Sequence, residues 1–415
     1  MKILHISVSD KIGGAAIAAS RLNTAMIMAG WNSKLLVLYK RSIDDDVVSV
    51  TKYKTKVLYY GIRAMNYLIN KYVLKPVYIY SSALWGIRVC HRKELQEADV
   101  IYVHWINNDF LSVKELKRIL CTNKKVIFFM HDMWTITGGC HYSFDCDKYK
   151  TKCRNCPHLR GHIIDMALYV FKKKYKFLTL YQNLFFVTPS TWLGDCVKQS
   201  ALFGNKKIKV IPNIIDTHIF KSIDQEVARS LFGLPVEKKL ILFGADAGTS
   251  NPYKGWSYLK EALIEVQIPD VEIVVFGNKL PKEEEKEIPY KVHSVGRLND
   301  EYSLSLLYNA VDIFITPSLA DNFPNTILEA LACVTPIVAF NTGGIPDLVK
   351  HKLTGYLAEY KSSKSLAQGI EWILDHLTDD TFIDSMKEYT RIYLSEKNIL
   401  GKHKVFIEEI LSSNE

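Results

Sequence analysis

The run Pro317-Ser-Leu-Ala-Asp-Asn-Phe-Pro-Asn-Thr-Ile-Leu-Glu-Ala-Leu-Ala332, followed by Gly343-Gly344, decides the fold. Ahead of it, Val311 to Ile315 has the length and β-branching of a buried strand. Pro317 ends that strand, and Asp321-Asn322 supplies loop chemistry. Pro324 suits the first turn of a helix, where a missing N–H costs nothing. The helix carries Leu328, Leu331 and Ala332 on an apolar face with Glu329 beside them. Its N-terminal N–H groups attract an anion such as a diphosphate. Asp321 precedes the helix and Glu329 follows eight positions later, so two carboxylates flank one helix entrance. That pattern suits gripping hydroxyl groups while the N–H groups face phosphates.

Outward from this stretch the chain repeats one theme. Lys2 to Val8 reads as a strand, Gly13-Gly14 as a turn and Ala15 to Met28 as a small-residue helix, which is how a Rossmann-like unit opens. The G-x-G-x-x-G dinucleotide fingerprint is absent, so NAD binding is not expected. Ser33 to Tyr39 is a second strand. The segment from Arg41 to about Ala98 is the least legible, with an aromatic-rich helix over Val57 to Leu74. Asp99 to Val103 leads into His104-Trp105-Ile106-Asn107, and Val126 to Met130 into His131-Asp132-Met133-Trp134. Open α/β sheets place ligands at such carboxyl ends of strands, and His131 with Asp132 is the favoured pair. After Phe185 to Thr188, the run Asn213-Ile-Ile-Asp216 reads as an interdomain connection. A second series then begins: Leu240 to Phe243 ending in Gly244-Ala245-Asp246, the turn Lys254-Gly255-Trp256, Val271 to Phe276, and Val292 to Val295 with Gly296-Arg297. The expected architecture is α/β, with two Rossmann-like domains over 1–205 and 206–385 across a cleft. A charged helical tail over 386–415 is expected to pack back on the first.

Size and composition agree. A chain of 415 residues exceeds one ordinary core, and 48% hydrophobic with 23% charged residues is the composition of a soluble globular protein. No apolar run approaches the roughly 18 residues that span a membrane, and Met1 to Val8 is too short for a secretory segment. The expected location is cytoplasmic. A net charge of +9 favours anionic partners, yet no nucleic-acid-binding signature accompanies it, so no nucleic acid is expected. Lys52 to Lys75 and Lys172 to Lys176 interleave cations with aromatic and aliphatic residues, as helices at the cytoplasmic membrane face do, and equally as solvated helix faces do.

Four of the eight cysteines, Cys140, Cys146, Cys153 and Cys156, fall in a loop over 140–158 with the spacing C-x5-C-x6-C-x2-C. Without a secretory signal, this reads as metal binding before disulfides, and a structural zinc could fold a loop poor in apolar residues. Reduced thiols or a redox pair are the alternatives. Four sulfurs would close the site to water, so no catalytic metal is expected.

Taken together, Asn213-Ile-Ile-Asp216, Lys254-Gly255, the Asp321/Glu329 pair and Gly343-Gly344 resemble the retaining glycosyltransferases of family four, which have the GT-B fold. The stretch Met130-His-Asp-Met-Trp-Thr-Ile-Thr-Gly-Gly-Cys-His141 looks more specifically like bacterial exopolysaccharide enzymes of the colanic-acid type. The resemblance spans nearly the whole chain and is weakest from Arg41 to Arg92. It implies a nucleotide-sugar donor held by the C-terminal domain and a lipid-linked or oligosaccharide acceptor held by the N-terminal domain. Lys254 matches a basic residue that neutralises the donor diphosphate, and Glu329 the acid that binds ribose hydroxyls. Asp321 takes the place of the first acid, near the transferred sugar. His131 matches a histidine facing that sugar, and Gly14 a loop that approaches the phosphate. Phe323 and Gly344 fall in the same donor-binding block. Asp321 departs from the usual Glu by one methylene, and Pro324 replaces a Gly that many relatives carry. The arginine usual ahead of the lysine is missing, so Arg297 is the substitute donor-binding cation. The implied reaction transfers a hexose to a glycan hydroxyl without a catalytic cofactor. A nucleotide-sugar 2-epimerase or a non-catalytic zinc-containing scaffold of polysaccharide assembly are the rival readings.

Overall fold

The computed structural model describes residues 1–51, 53–161, 163–245, 252–266 and 268–412. The chain divides into two units, one of Met1–Ile214 with Lys397–Glu415 and one of Ile215–Glu396. The divide falls inside Asn213-Ile-Ile-Asp216 rather than at 205/206, and the returning tail begins at Lys397 rather than at 386.

The first unit holds seven parallel strands: β1 (Lys2–Ser9), β2 (Asn32–Tyr39), β3 (Val47–Ser49), β4 (Val100–Val103), β5 (Lys125–Phe129), β6 (Leu184–Thr188) and β7 (Ile208–Val210), in the order β3-β2-β1-β4-β5-β6-β7. The order reverses between β1 and β4, and that reversal opens a crevice at their carboxyl ends. Glycine is required at the turn after β1, where Gly13 has φ +88° before the helix Gly14–Met28. One face of the sheet is covered by the helix Glu396–Ser412, whose Ile399, Leu400, Phe406, Ile407 and Ile410 pack on Tyr102, Phe129, Phe185 and Val187. Burying five such side chains contributes roughly 10 kcal/mol before ordering entropy is subtracted. The aromatic helix expected over Val57 to Leu74 is an α-helix over Tyr53–Leu68 that widens into a π-helical turn, Ile69–Leu74. It stops where Lys75 adopts a left-handed conformation at φ 46°.

The second unit holds six parallel strands: β8 (Lys239–Ala245), β9 (Val271–Gly277), β10 (Val292–Gly296), β11 (Ile313–Thr316), β12 (Ile337–Phe340) and β13 (Gly355–Ala358), in the order β10-β9-β8-β11-β12-β13. Here the reversal lies between β8 and β11. A buried ion pair fixes it: Arg229 Nη2 meets Asp312 Oδ2 at 2.8 Å, and the same oxygen accepts from the Leu240 N–H at 2.7 Å. Asp246, expected to end β8, lies outside the described residues.

Candidate active site

In the second unit, the quoted stretch is clamped from two sides. β11 is buried along its length, and Pro317 ends it. The Pro317 carbonyl lies where a side chain at residue 255 would be: a Cβ on Gly255, at φ +64°, would come within 2.0 Å of that oxygen. Leu319 N–H donates to the Tyr253 carbonyl at 2.7 Å. The turn carrying Lys254 is therefore fastened to the loop carrying Asp321. On the other side, a Cβ on Gly343, at φ +57°, would meet the Asp321 carbonyl at 2.0 Å, and Gly344 N–H donates to that carbonyl at 3.2 Å. Three motifs far apart in sequence thus converge on Asp321.

Burial pushes the Asp321 carboxyl above its ordinary range; the Lys254 charge and the Asn322 and Phe323 N–H groups pull the other way without reversing it. Phe323 is buried behind it. Pro324 stands one residue earlier than the sequence suggests: it is the N-cap of the helix Asn325–Ala332, and no side chain caps that end. The Pro324 carbonyl accepts from Ile327 and Leu328 at 3.2 Å. Glu329, in the second turn, is only 4% exposed, which excludes a solvent-facing carboxylate. Its Oε2 accepts from the Tyr308 hydroxyl at 3.1 Å, and Tyr308 is itself fully buried. Arg297 follows Gly296 at the carboxyl end of β10, exposed, on the edge of the sheet. Three strand spacings separate β10 from β11, roughly 14 Å.

In the first unit, the carboxyl ends of β1, β4 and β5 are adjacent, and they bring Gly14, His104 and His131 to one end of the sheet. The space beside Gly13 is open, with nothing within 4 Å of an added Cβ. His131 Nε2 lies 3.0 Å from His104 Nδ1, and His104 Nε2 lies 2.9 Å from His5 Nδ1. Burial lowers His131 to about 4, against the opposing charge of Asp132.

The site residue that sequence reading missed is His141, quoted there only as part of the cysteine loop. Its Nδ1 lies 2.5 Å from Asp132 Oδ2, and its Nε2 lies 2.9 Å from Ser81 Oγ. Trp105 Nε1 also donates to Asp132 Oδ2 at 2.9 Å, and the Trp134 N–H to Oδ1 at 2.8 Å. Burial alone would raise Asp132; the His141 imidazole and these donors hold it below the usual carboxylate range. The only signal in sequence was the polar run His104-Trp105 at a strand end.

Cys140, Cys146, Cys153 and Cys156 are free thiols, and among the described residues no group of three or more His, Cys, Asp or Glu side chains could hold a metal ion. Burial pushes the Cys140 and Cys153 thiols up to about 12. In the loop, the Gly138 N–H meets Cys153 Sγ at 3.2 Å, and Tyr80 O–H donates to the Gly138 carbonyl at 3.0 Å.

Comparison with known proteins bears on the same residues. Residues 224–391 match the family Glycosyl transferases group 1, a span that contains Lys254, Arg297, Asp321, Phe323, Glu329 and Gly344. An uncharacterized glycosyltransferase of Methanocaldococcus jannaschii is 27% identical over 66% of this chain and 73% of its own. The D-inositol 3-phosphate glycosyltransferase of Mycobacterium tuberculosis is 28% identical over 40% of this chain, a match spanning only 36% of that protein. Among solved structures, a glycosyltransferase from Rickettsia africae has a TM-score of 0.67 at 16% identity, covering 99% of this chain and 98% of that one. Anabaena HepE, solved in complex with UDP and glucose, has a TM-score of 0.62 at 17% identity, with both chains covered fully. The fold is that of the GT-B glycosyltransferases. The second unit thus matches the Glycosyl transferases group 1 family over residues 224–391, and the two relatives named above are glycosyltransferases.

Proposed function

We propose that this protein is a retaining glycosyltransferase that moves a hexose from a nucleoside-diphosphate sugar to a hydroxyl of a growing bacterial surface glycan. The observation that carries the reading is the Asp321 loop, clamped between Lys254 and Gly344 ahead of a helix with no side-chain cap. Negative charge grows on the diphosphate as its bond to the sugar breaks. A fixed ammonium at Lys254 and the helix N–H groups stabilise that charge more in the transition state than in the bound donor. Glu329, held by Tyr308, accepts hydrogen bonds from ribose hydroxyls, and Asp321 those of the transferred sugar. The acceptor belongs to the first unit, with His131 the polar group offered to the sugar. The departing phosphate oxygen takes the acceptor's proton, which delivers the new bond to the face the leaving group vacates. HepE, solved with UDP and glucose, supports a UDP-type donor.

The test is product stereochemistry. With a UDP-hexose and a lipid-linked acceptor, UDP release should accompany a product whose anomeric proton coupling matches the donor's. An inverted coupling would overturn the retaining mode, and free hexose formed without acceptor would point to a 2-epimerase.

A lipid-linked acceptor also fits the helix Tyr53–Leu68 and its π-helical extension. Val57, Leu58, Tyr60, Tyr67, Leu68 and Tyr72 are all more than half exposed, and Lys71 lies over the Tyr67 and Tyr72 rings at 5.7 and 5.3 Å. Among the described residues no helix is long and apolar enough to cross a membrane, so such contact would be interfacial. Sedimentation with acidic liposomes should carry the protein down, and the double variant Tyr67→Ser, Leu68→Ser should stay in the supernatant. Equal sedimentation of both would remove this contact surface.

A further inference from the structure

In the first unit, residues 79–81 and 139–141 run antiparallel against each other. Tyr80 and Cys140 form a bridge, the Ser81 N–H donates to the Gly139 carbonyl at 2.9 Å, and the His141 N–H donates to the Ile79 carbonyl at 3.4 Å. Glycine is required at 139, where φ is +131°: a Cβ there would stand 2.6 Å from the Tyr80 ring and 3.0 Å from the Ser81 carbonyl oxygen. That carbonyl accepts from the Trp134 indole N–H at 2.8 Å. Both backbone groups of Ser81 are therefore used, and its place against His141 is fixed.

The side chains form a relay across this pairing. Asp132 Oδ2 lies 2.5 Å from His141 Nδ1, and His141 Nε2 lies 2.9 Å from Ser81 Oγ. The Trp105 indole and the Trp134 backbone N–H help to keep Asp132 ionised, and an ionised carboxylate only accepts. His141 Nδ1 therefore carries a proton. The Trp105 N–H, 3.4 Å from that nitrogen, is nearer to Oδ2 at 2.9 Å and belongs to the carboxylate. In the neutral imidazole, Nε2 is then the lone pair, and it accepts from the Ser81 hydroxyl. Hydroxyl, imidazole and carboxylate stand in the order that makes a serine nucleophilic. His141 is only 3% exposed, whereas Ser81 is half-buried and keeps contact with solvent.

We propose that Ser81 is a nucleophile activated by His141 and Asp132, and that this second reactive centre takes the acyl group of a carboxylic ester. The Ser81 oxygen bonds to the ester carbonyl carbon while its proton passes to His141 Nε2. The tetrahedral adduct then breaks its bond to the alcohol oxygen, which leaves with the proton from Nε2. Water repeats the sequence: it gives a proton to Nε2, attacks the acyl carbon and releases the acid, and the proton returns to Ser81. Asp132 takes no proton; it holds the ring and stabilises the imidazolium. All three residues lie in the first unit, and the proposal does not rest on glycosyl transfer.

The experiment exposes the purified full-length protein to p-nitrophenyl acetate, follows release of p-nitrophenolate and maps the acetyl group by peptide mass spectrometry. The expected result is a stoichiometric burst with the acetyl group on Ser81. Ser81→Ala, which removes one oxygen and leaves the backbone bonds in place, should lose both. His141→Gln should slow the burst by about a thousandfold or more, as removal of the base does in such relays. Absence of a burst in the unaltered protein overturns the proposal, as does an acetyl group found only on other residues or a burst retained in folded Ser81→Ala. Should Ser81→Ala not fold, the burst and the mapped position in the unaltered protein still decide it.

Discussion

Lowering the pH from 7 to 5 should remove on the order of 5 kcal/mol of stability from the first unit, as much as the whole stability of many domains. His5, His104 and His403 are buried there, and Tyr102 O–H and His403 Nδ1 share a hydrogen bond of 3.1 Å. Burial, reinforced for His5 by the neighbouring His403, lowers His5 to about 3. Burial lowers His403 to about 3 and His104 well below its ordinary value. The unfolded chain takes up protons at these positions below about pH 6.5, while the folded chain does not. Their contribution is therefore fully present above pH 6.5 and is lost as the pH falls from there toward about 3. Each proton changes stability by about 1.4 kcal/mol per pH unit, so three groups together give about 4 kcal/mol per unit well below 6.5. Urea titrations at pH 7, 6 and 5, followed by tryptophan fluorescence, measure that slope. His403→Leu should reduce the slope by about a third. A midpoint that stays constant from pH 7 to pH 5 would contradict the buried neutral histidines.

The second large effect concerns turnover. Lys254→Ala should lower kcat by about a hundredfold to a thousandfold, the range seen when one transition-state charge stabiliser is removed. Lys254 is tied to the loop through Gly255 and Tyr253 and is the counter-charge that acts on Asp321. Glu329→Gln should act differently. It keeps the shape and the Tyr308 contact but removes the charge proposed to accept from the ribose, so the KM for the donor should rise by about tenfold with kcat little changed. Steady-state kinetics on folded variants separate the two. Unaltered kcat in Lys254→Ala would remove Lys254 from the reaction.

These effects fall on residues that the sequence exposes to different degrees. The strands that carry them were legible because parallel strands buried on both faces read as short apolar runs, as at Leu240 to Phe243 and Val311 to Ile315, or as alternation, as at Lys2 to Val8. The short strands β3, β12 and β13, of three or four residues, carry no such signal because each gains its identity from its neighbour in the sheet. The motif glycines were legible as turns; that Gly255 and Gly343 each leave room for a specific carbonyl was not, because those carbonyls belong to a loop more than twenty residues away at the nearest. Glu329 looked like a helix-surface acid by its spacing and proved buried, since the helix Glu301–Asn309 covers it with Tyr308. At the cysteines, C-x2-C fixes only where two sulfurs stand along the chain; that the fold buries Cys140 and Cys153 was not legible. The pairing of Asp132 with His141 crosses a loop whose path periodicity cannot report.

The central claim is that the second unit binds a nucleotide sugar through the Asp321–Glu329 stretch. Thermal unfolding of the purified protein across UDP, GDP, ADP and their common hexose conjugates tests it most directly. A donor that binds only the folded state, supplied at about a hundredfold its Kd, adds roughly 2.7 kcal/mol. The account predicts a clear rise in Tm with one conjugate, larger than with the bare diphosphate and lost in Glu329→Ala. No rise with any nucleotide in the panel would contradict it.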